Sequence, residues 1–108
     1  MAYDEELAER IRSLVGSEAG LSEKKMFGGL AFLINGNMAV AASGQGGMML
    51  RVDPAETESL LDEPQVRRFE MGGRRMDGWL HLELAAVASD EALAGWVRRG
   101  VDYARRLP

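Results

Sequence analysis

The feature that most constrains the fold is a pair of short apolar runs joined by an Asn-Gly turn. The runs are Leu30–Ile34 and Met38–Ala42, and Asn35-Gly36-Asn37 separates them. Asn and Gly tolerate the positive φ angles that a tight turn requires, so the pattern predicts an antiparallel hairpin. A two-residue turn would pair Leu33 with Met38, and a three-residue turn would pair Ile34 with Met38. Because a one-residue slip exchanges the faces of a strand, the inward side chains stay open.

Further strands are predicted on both sides of this hairpin. Met26-Phe27 forms a short first strand that stops at Gly28-Gly29, and Met48–Val52 follows a glycine-rich turn. Val66–Met71 and Trp79–Leu84 form two more, separated by Gly72-Gly73. Alternation in the last strand places three leucines on the core face and three polar or aromatic residues on the other: Leu80, Leu82 and Leu84 against Trp79, His81 and Glu83.

Three helices are predicted from apolar spacing and capping residues. The first spans Asp4–Val15, with Leu7, Ile11, Leu14 and Val15 along one side. The second starts at Asp53-Pro54-Ala55-Glu56, with Asp as N-cap, Pro at the first position and Glu three residues after the cap, and it ends before Pro64. The third is capped by Ser89 and carries an apolar stripe: Leu93, Trp96, Val97, Val101 and Ala104.

These elements predict an α+β fold in the order α-β(3)-α-β(2)-α. Short hairpin links imply a two-layer arrangement, with helices packed on an antiparallel sheet of about five strands. With 108 residues, the chain has the length of one domain spanning residues 1–108.

Composition limits the classes of function. The chain has no cysteine, which excludes disulfides, thiolate metal sites and cysteine nucleophiles. Its longest apolar stretch, Met38–Ala42, is far shorter than a membrane span, and its N-terminus is acidic where a signal peptide would be basic. We therefore expect a cytoplasmic protein without membrane contact. A net charge of −4 disfavours binding of nucleic acid through the overall field.

Catalytic chemistry has few candidates in this sequence. His81 is the single histidine, and no serine sits in a Gly-x-Ser-x-Gly motif. We expect His81 to be a half-exposed strand histidine that can pair with Glu83. An enzyme hypothesis would have Asp77, His81 and Glu83 as its only candidate residues. No metal site or cofactor is predicted, because further ligands are missing and the glycine clusters match neither phosphate-binding motif. The methionines are interpreted mostly as core filling.

Arginines and one tryptophan offer a candidate binding patch. Two arginine doublets flank the Gly72-Gly73 turn, and Arg51 interrupts an apolar strand. Guanidinium groups beside an indole can bind a small anion or nucleic acid, and they can equally form a solvated surface or fix the hairpin through Arg–Asp pairing. The candidate residues are Arg51, Arg67, Arg74, Arg75, Asp77 and Trp79.

Several segments together resemble the TfoX N-terminal domain family of small bacterial domains. The resemblance spans Tyr3 to Pro108 and depends on the order and spacing of short motifs. It is carried by Met26-Phe27-Gly28-Gly29, Asn35-Gly36-Asn37-Met38, Leu50-Arg51-Val52, Gly73-Arg74-x-Met76-x-Gly78-Trp79 and Trp96-Val97. The resemblance implies a two-layer fold of helix, three strands, helix, two strands and helix, with no catalytic residue to transfer.

The function that this resemblance implies is regulatory. The competence regulators after which the family is named also have a second, C-terminal domain, and we expect this chain to act without one. We therefore expect a non-enzymatic interaction module that contacts a protein partner and can form a homodimer, since a sheet covered on one face leaves another to bury. The alternative is the anion or nucleic-acid site on the arginine and tryptophan residues.

Overall fold

One antiparallel sheet of six strands organises the protein, in a computed structural model that describes residues 3–26, 28–71 and 73–107. The backbone alone is described at positions 71 and 75. The sheet order is β1-β2-β3-β4-β6-β5. The strands are β1 (Leu21–Met26), β2 (Gly29–Ile34), β3 (Asn37–Ala42), β4 (Met48–Arg51), β5 (Val66–Met71) and β6 (Arg74–Leu82). The α-helices are α1 (Glu5–Val15), α2 (Thr57–Leu60) and α3 (Asp90–Arg106), and short 3-10 turns cover Pro54–Glu56 and Leu84–Val87.

The predicted α+β class is confirmed, with six strands where about five were predicted. Four strands precede the second helix, where the predicted order had three, and the first of them begins at Leu21 instead of Met26. Residues Ser22 to Lys25 are all exposed, and their polar character hid this strand from a search for apolar runs. Charged side chains of this kind are common on edge strands, where they discourage pairing with another chain.

The β2–β3 hairpin has a two-residue turn. Asn35 and Gly36 both have positive φ, at 52° and 84°, as a type I′ turn requires. Leu33 lies opposite Met38, which resolves the register that the sequence left open. A bulge follows, because Phe32 lies opposite Val40 and leaves Ala39 as an extra residue.

The predicted caps at Asp53 and Ser89 are confirmed, and the structure adds a cap on the first helix. Asp4 is the N-cap of α1 and accepts a hydrogen bond from the Leu7 amide at 3.0 Å. Asp53 accepts one from the Ala55 amide at 2.9 Å, and the second helix starts as a 3-10 turn and ends before Pro64. Ser89 accepts one from the Ala92 amide at 3.1 Å at the start of α3.

The main core lies between one face of the sheet and helices α1 and α3. Helix α3 lies very close to β3, since a Cβ atom built on Gly100 would be 2.6 Å from the carbonyl oxygen of Ala39. Fully buried side chains come from both layers: Leu7, Ile11 and Val15 of α1, Leu93, Val97 and Val101 of α3, and Phe32, Val40, Leu50, Leu80 and Leu82 of the sheet.

Three predicted core positions differ from the structure. Leu14 is 40% exposed, because it lies at the margin of the helix side that Ile11 and Val15 centre on. Leu84 is 46% exposed, since β6 ends at Leu82 and the chain turns into a 3-10 segment where alternation no longer applies. Trp96 is partly buried and packs at the edge of the core. In the described part of the chain, no helix has the length and apolar character needed to cross a membrane.

Candidate functional site

A second apolar cluster lies on the sheet face opposite the helices. All of its members come from strands, so the sheet builds it alone. Its buried side chains are Ala31, Met38, Ala41, Met49 and Phe69, and its partly buried ones are Met26, Leu33, Met76 and Trp79. An apolar face of this size, not covered by a helix of the described chain, is a candidate binding surface.

Two bulges bend the sheet around this cluster. The Ala39 bulge directs both Ala39 and Val40 to the helix side and leaves Met38 and Ala41 on the opposite face. In β6, residues 77–79 are extra, because Leu80 lies opposite Arg68 while Met76 lies opposite Phe69. Since bulges bend a strand and increase its twist, the end of the β5–β6 hairpin lies over the face instead of continuing flat.

Gly78 holds the second bulge in place. Its φ is 85°, which favours glycine, and its amide donates a hydrogen bond to the Thr57 hydroxyl at 2.9 Å. Its carbonyl accepts one from the Val52 amide at 2.9 Å. Gly78 and Thr57 are both buried, so this contact ties β6 to the second helix from inside the protein.

The bent sheet encloses an apolar hollow of about 430 Å³, to which all six strands contribute. This volume lies in the range of about 300–1,000 Å³ that is typical of ligand pockets. We call it the methionine groove, after the four methionines in its wall. It is lined by Met26, Met38, Met49, Met76, Phe69, Trp79, Gly29, Ala31, Ala41, Ala42, Ser43, Gly44, Gln45 and Glu70.

The methionines therefore divide between two environments. Met48 lies in the main core, in agreement with the interpretation as core filling. The four groove methionines belong to the second cluster instead. Sequence reasoning missed this site because its members are spread over six strands, and because the bulges that assemble them are not visible in the apolar pattern.

Glycine positions of the family motifs shape the rim of the groove. A Cβ atom on Gly29 would be 2.4 Å from the carbonyl oxygen of Ala42, so glycine allows β2 to lie close to the end of β3. Gly28 precedes it with a φ of 77°. Phe27 of the same motif lies outside the described residues.

The structure separates the predicted arginine patch into parts. The Arg51 guanidinium lies 4.8 Å from the centroid of the Trp79 ring, so these two residues do meet. Arg67 is exposed, and it lies four residues along β5 from Met71, the partner of Arg74, which is a separation of roughly 13 Å. Arg75 lies opposite Glu70 in the backbone register.

Asp77 pairs with an arginine that the predicted patch did not include. Arg68 donates a hydrogen bond to the Asp77 carboxylate at 2.8 Å and lies 3.8 Å from the Glu58 carboxylate. Asp77 is one of the extra residues of the bulge, so the pair fixes the bent hairpin. This agrees with the alternative given in the sequence analysis, in which an Arg–Asp pair fixes the hairpin instead of binding a ligand.

His81 is buried, and the expectation of a half-exposed histidine is wrong. Its side chain is 4% exposed, between Met49 on β4 and Arg67 on β5, and its Nδ1 atom has no hydrogen-bond partner in the described structure. Burial lowers the pKa of the imidazole, Arg67 lowers it further, and Glu83 partly opposes them. The Glu83 carboxylate lies 3.7 Å from Arg67, so the expected pairing with His81 is not what the structure shows.

Nothing around His81 in the described structure supplies a reacting partner. Ser43 is buried, but its hydroxyl accepts a hydrogen bond from the Gln45 amide at 3.1 Å and stabilises a turn. Among the residues that the structure describes, no group of three or more Asp, Glu and His side chains is placed to hold a metal ion.

An aromatic residue that sequence reasoning missed also contacts Arg51. The Arg51 guanidinium lies 5.9 Å from the centroid of the Tyr103 ring, and the Arg106 guanidinium lies 5.3 Å from the same centroid. Tyr103 and Arg106 are on α3, whose basic end the sequence explains by the helix dipole alone. Only the packing of α3 beside the end of β4 brings them to Arg51.

Comparison with known proteins gives one result at the level of families. The chain matches the TfoX N-terminal domain over residues 13–104, which is most of its length. Searches among curated proteins and among solved structures found no match. The match covers every strand of the groove and most of α3, but only the last three residues of α1, and the family is one of regulatory domains that is not a known enzyme family. The chain therefore belongs to the TfoX N-terminal domain family.

Proposed function

We propose that this domain is a cytoplasmic, non-enzymatic regulatory module that binds a protein partner in the methionine groove. The observation that carries the proposal is the apolar hollow on the sheet face opposite the helices, with four methionines and two aromatic rings in its wall. Family membership supports the regulatory part, since the family is known for regulatory domains.

The side chains that line the methionine groove suit an apolar protein side chain better than a small molecule of one fixed shape. Methionine is unbranched and polarizable, so a surface rich in methionine adapts to different apolar groups. Met26 and Met76 are only partly buried, so a partner can reach their side chains. Aromatic residues and methionine are also the residues enriched at the centre of protein interfaces.

The rim of the groove has the polar character of an interface edge. Lys24 lies opposite Ala31 of the groove floor and is exposed, and Glu70 lies in the wall and is exposed. An apolar centre with charged residues around it is the usual arrangement of a protein contact surface. The mixed charges of the rim do not favour a nucleic-acid backbone.

The proposal that the module is non-enzymatic is supported by the state of the three candidate catalytic residues. Asp77 is paired with Arg68, and Glu83 lies 3.7 Å from Arg67. His81 is buried and does not line the groove, and its Nδ1 atom has no hydrogen-bond partner among the described residues.

The test is capture of partners from lysate of the source cells with three forms of the domain. Met76→Glu places a carboxylate in the groove, where an apolar partner cannot satisfy it, and we expect binding to weaken by at least tenfold. Leu84→Glu is the matched control, because Leu84 is an exposed leucine outside the groove. Nuclease treatment removes any contact that depends on nucleic acid.

Light scattering separates a second copy of the chain from a different partner. A dimer of the wild-type domain that becomes a monomer in Met76→Glu identifies the second copy as the occupant. A partner captured equally by both variants refutes the groove as the binding surface. A strict monomer that captures nothing refutes the interaction module.

A further inference from the structure

The arginines of this protein fall into two groups. Among those whose side chains the structure describes, seven lie within 3.7 Å of a carboxylate: Arg10, Arg12, Arg67, Arg68, Arg98, Arg99 and Arg105. Arg51, Arg74 and Arg106 have no such partner among the described residues. The chain has more acidic than basic residues, so the overall charge does not explain why these arginines have no carboxylate beside them in the described part of the chain.

Two of the unpaired arginines converge on one ring. The Arg51 guanidinium lies 5.9 Å from the Tyr103 centroid and the Arg106 guanidinium 5.3 Å from it. Arg51 also lies 4.8 Å from the Trp79 centroid, so it is held between two aromatic side chains. Two positive charges near one ring repel each other, and an anion bound between them would remove that repulsion. We propose that Arg51 and Arg106, held around Tyr103, form a binding site for a phosphate group.

The carboxylates nearby do not fill this site. Tyr103 and Arg106 line a hollow of about 420 Å³, in whose wall Asp53, Glu56 and Asp102 also lie. Each of these three has another partner. Glu56 lies 3.3 Å from Arg99, Asp102 lies 3.7 Å from Arg98, and Asp53 caps the Ala55 amide at 2.9 Å. Arg51 is not part of the wall of this hollow and approaches Tyr103 from the end of β4.

The end of α3 opposes an anion, but only weakly. A helix C-terminus carries roughly half a negative elementary charge, and the Leu107 amide already bonds to the Ala104 carbonyl there. Two guanidinium groups carry two full positive charges, which outweigh the helix end and the Asp53 carboxylate together.

Phosphate is the ligand class that fits this donor set. A guanidinium presents parallel N–H donors that match two oxygens of one anion, and phosphate has enough oxygens to serve two guanidiniums at once. The rings of Trp79 and Tyr103 hold Arg51 in place before the ligand arrives, which reduces the entropy lost on binding. A carboxylate, with two oxygens, would satisfy only one of the two arginines.

The experiment is an NMR titration of the 108-residue chain with inorganic phosphate at constant ionic strength. We expect saturable shifts at Tyr103 and at the side-chain N–H of Arg51. Arg51→Gln and Arg106→Gln should each weaken binding by at least about tenfold, the usual effect of losing a charge-assisted hydrogen bond. Arg74→Gln is the matched control, because Arg74 is the third unpaired arginine and has no aromatic partner among the described contacts.

Two further measurements show whether the bound phosphate is a free ion or part of a larger molecule, and whether the variants test the site. Phosphoserine that binds more tightly than inorganic phosphate indicates a phosphate carried by a larger molecule, and the reverse indicates the free ion. Thermal melting shows whether each variant is folded, and exposed Arg106 keeps the test valid if Arg51→Gln is unstable. Absence of saturable shifts, or equal weakening by all three substitutions, overturns the proposal. The site does not depend on a partner in the methionine groove.

Discussion

Two glycines of α3 lie in opposite surroundings and give a stringent test of how the helix packs on the sheet. Gly100 is buried, and a Cβ atom there would lie 2.6 Å from the Ala39 carbonyl oxygen and 2.7 Å from Leu50 Cδ1. Gly95 is exposed, and a Cβ atom there would meet nothing within 4 Å. Both positions are inside the same helix, so each substitution by alanine gains the same helix propensity.

The magnitudes follow from this pairing. Glycine to alanine in a helix interior stabilises by about 1 kcal/mol, so we expect Gly95→Ala to raise the free energy of unfolding by roughly that amount. At Gly100, the contact is with a backbone atom that cannot rotate away, and the helix must move off the sheet. Overpacking of this kind costs about 1–3 kcal/mol. Because both substitutions gain the same helix propensity, the difference in the free energy of unfolding between the two variants measures the packing cost at position 100.

Urea unfolding of the two variants beside wild type measures this difference. We expect Gly100→Ala to be less stable than Gly95→Ala by about 1–3 kcal/mol, and to melt lower by about 4–8 °C for each kcal/mol. Equal stability of the two variants would refute the close approach of α3 to the Ala39 bulge. It would also contradict the arrangement in which Ala39 and Val40 both face the helices.

Two further predictions concern the bulge and the buried histidine. Thr57→Val leaves the buried Gly78 amide without its acceptor, so we expect a loss of about 1–3 kcal/mol in urea unfolding, while Thr57→Ser retains the hydroxyl and most of the stability. Burial lowers the pKa of His81 below its unfolded value of about 6.5, so the unfolded state binds more protons in acid, and stability should fall as the pH drops from 7.5 to 5.5. His81→Leu should flatten that part of the pH profile, and an unchanged slope would mean that other groups cause it.

The elements that the sequence predicted well are those whose signals are local. The caps at Asp53 and Ser89 and the Asn35-Gly36 turn each depend on a few neighbouring residues, and all three are present. Strand β1 was predicted too short, because an edge strand with charged residues lacks the apolar pattern that marks a strand. Family resemblance and periodicity led to the same α+β class.

The sites were harder to predict because they depend on bulges and on contacts between distant segments. A single extra residue at Ala39 decides which face receives Met38, and the sequence shows no sign of it. Tyr103 is 52 positions from Arg51 along the chain, so its contact with Arg51 follows from where α3 ends against the sheet. Arg68 has the same charge as Arg67, and only the register selects Arg68 for Asp77.

Two departures from ordinary packing lie on the same face of the sheet. One is an apolar hollow without a covering helix in the described chain, and the other is His81, buried with an unpartnered nitrogen directly opposite Met49 of the groove floor. An unsatisfied buried polar atom costs about 1–3 kcal/mol, which is a large fraction of the stability of a small domain. Natural proteins retain such costs mainly at functional sites. The face that carries both is therefore where a binding function is best sought.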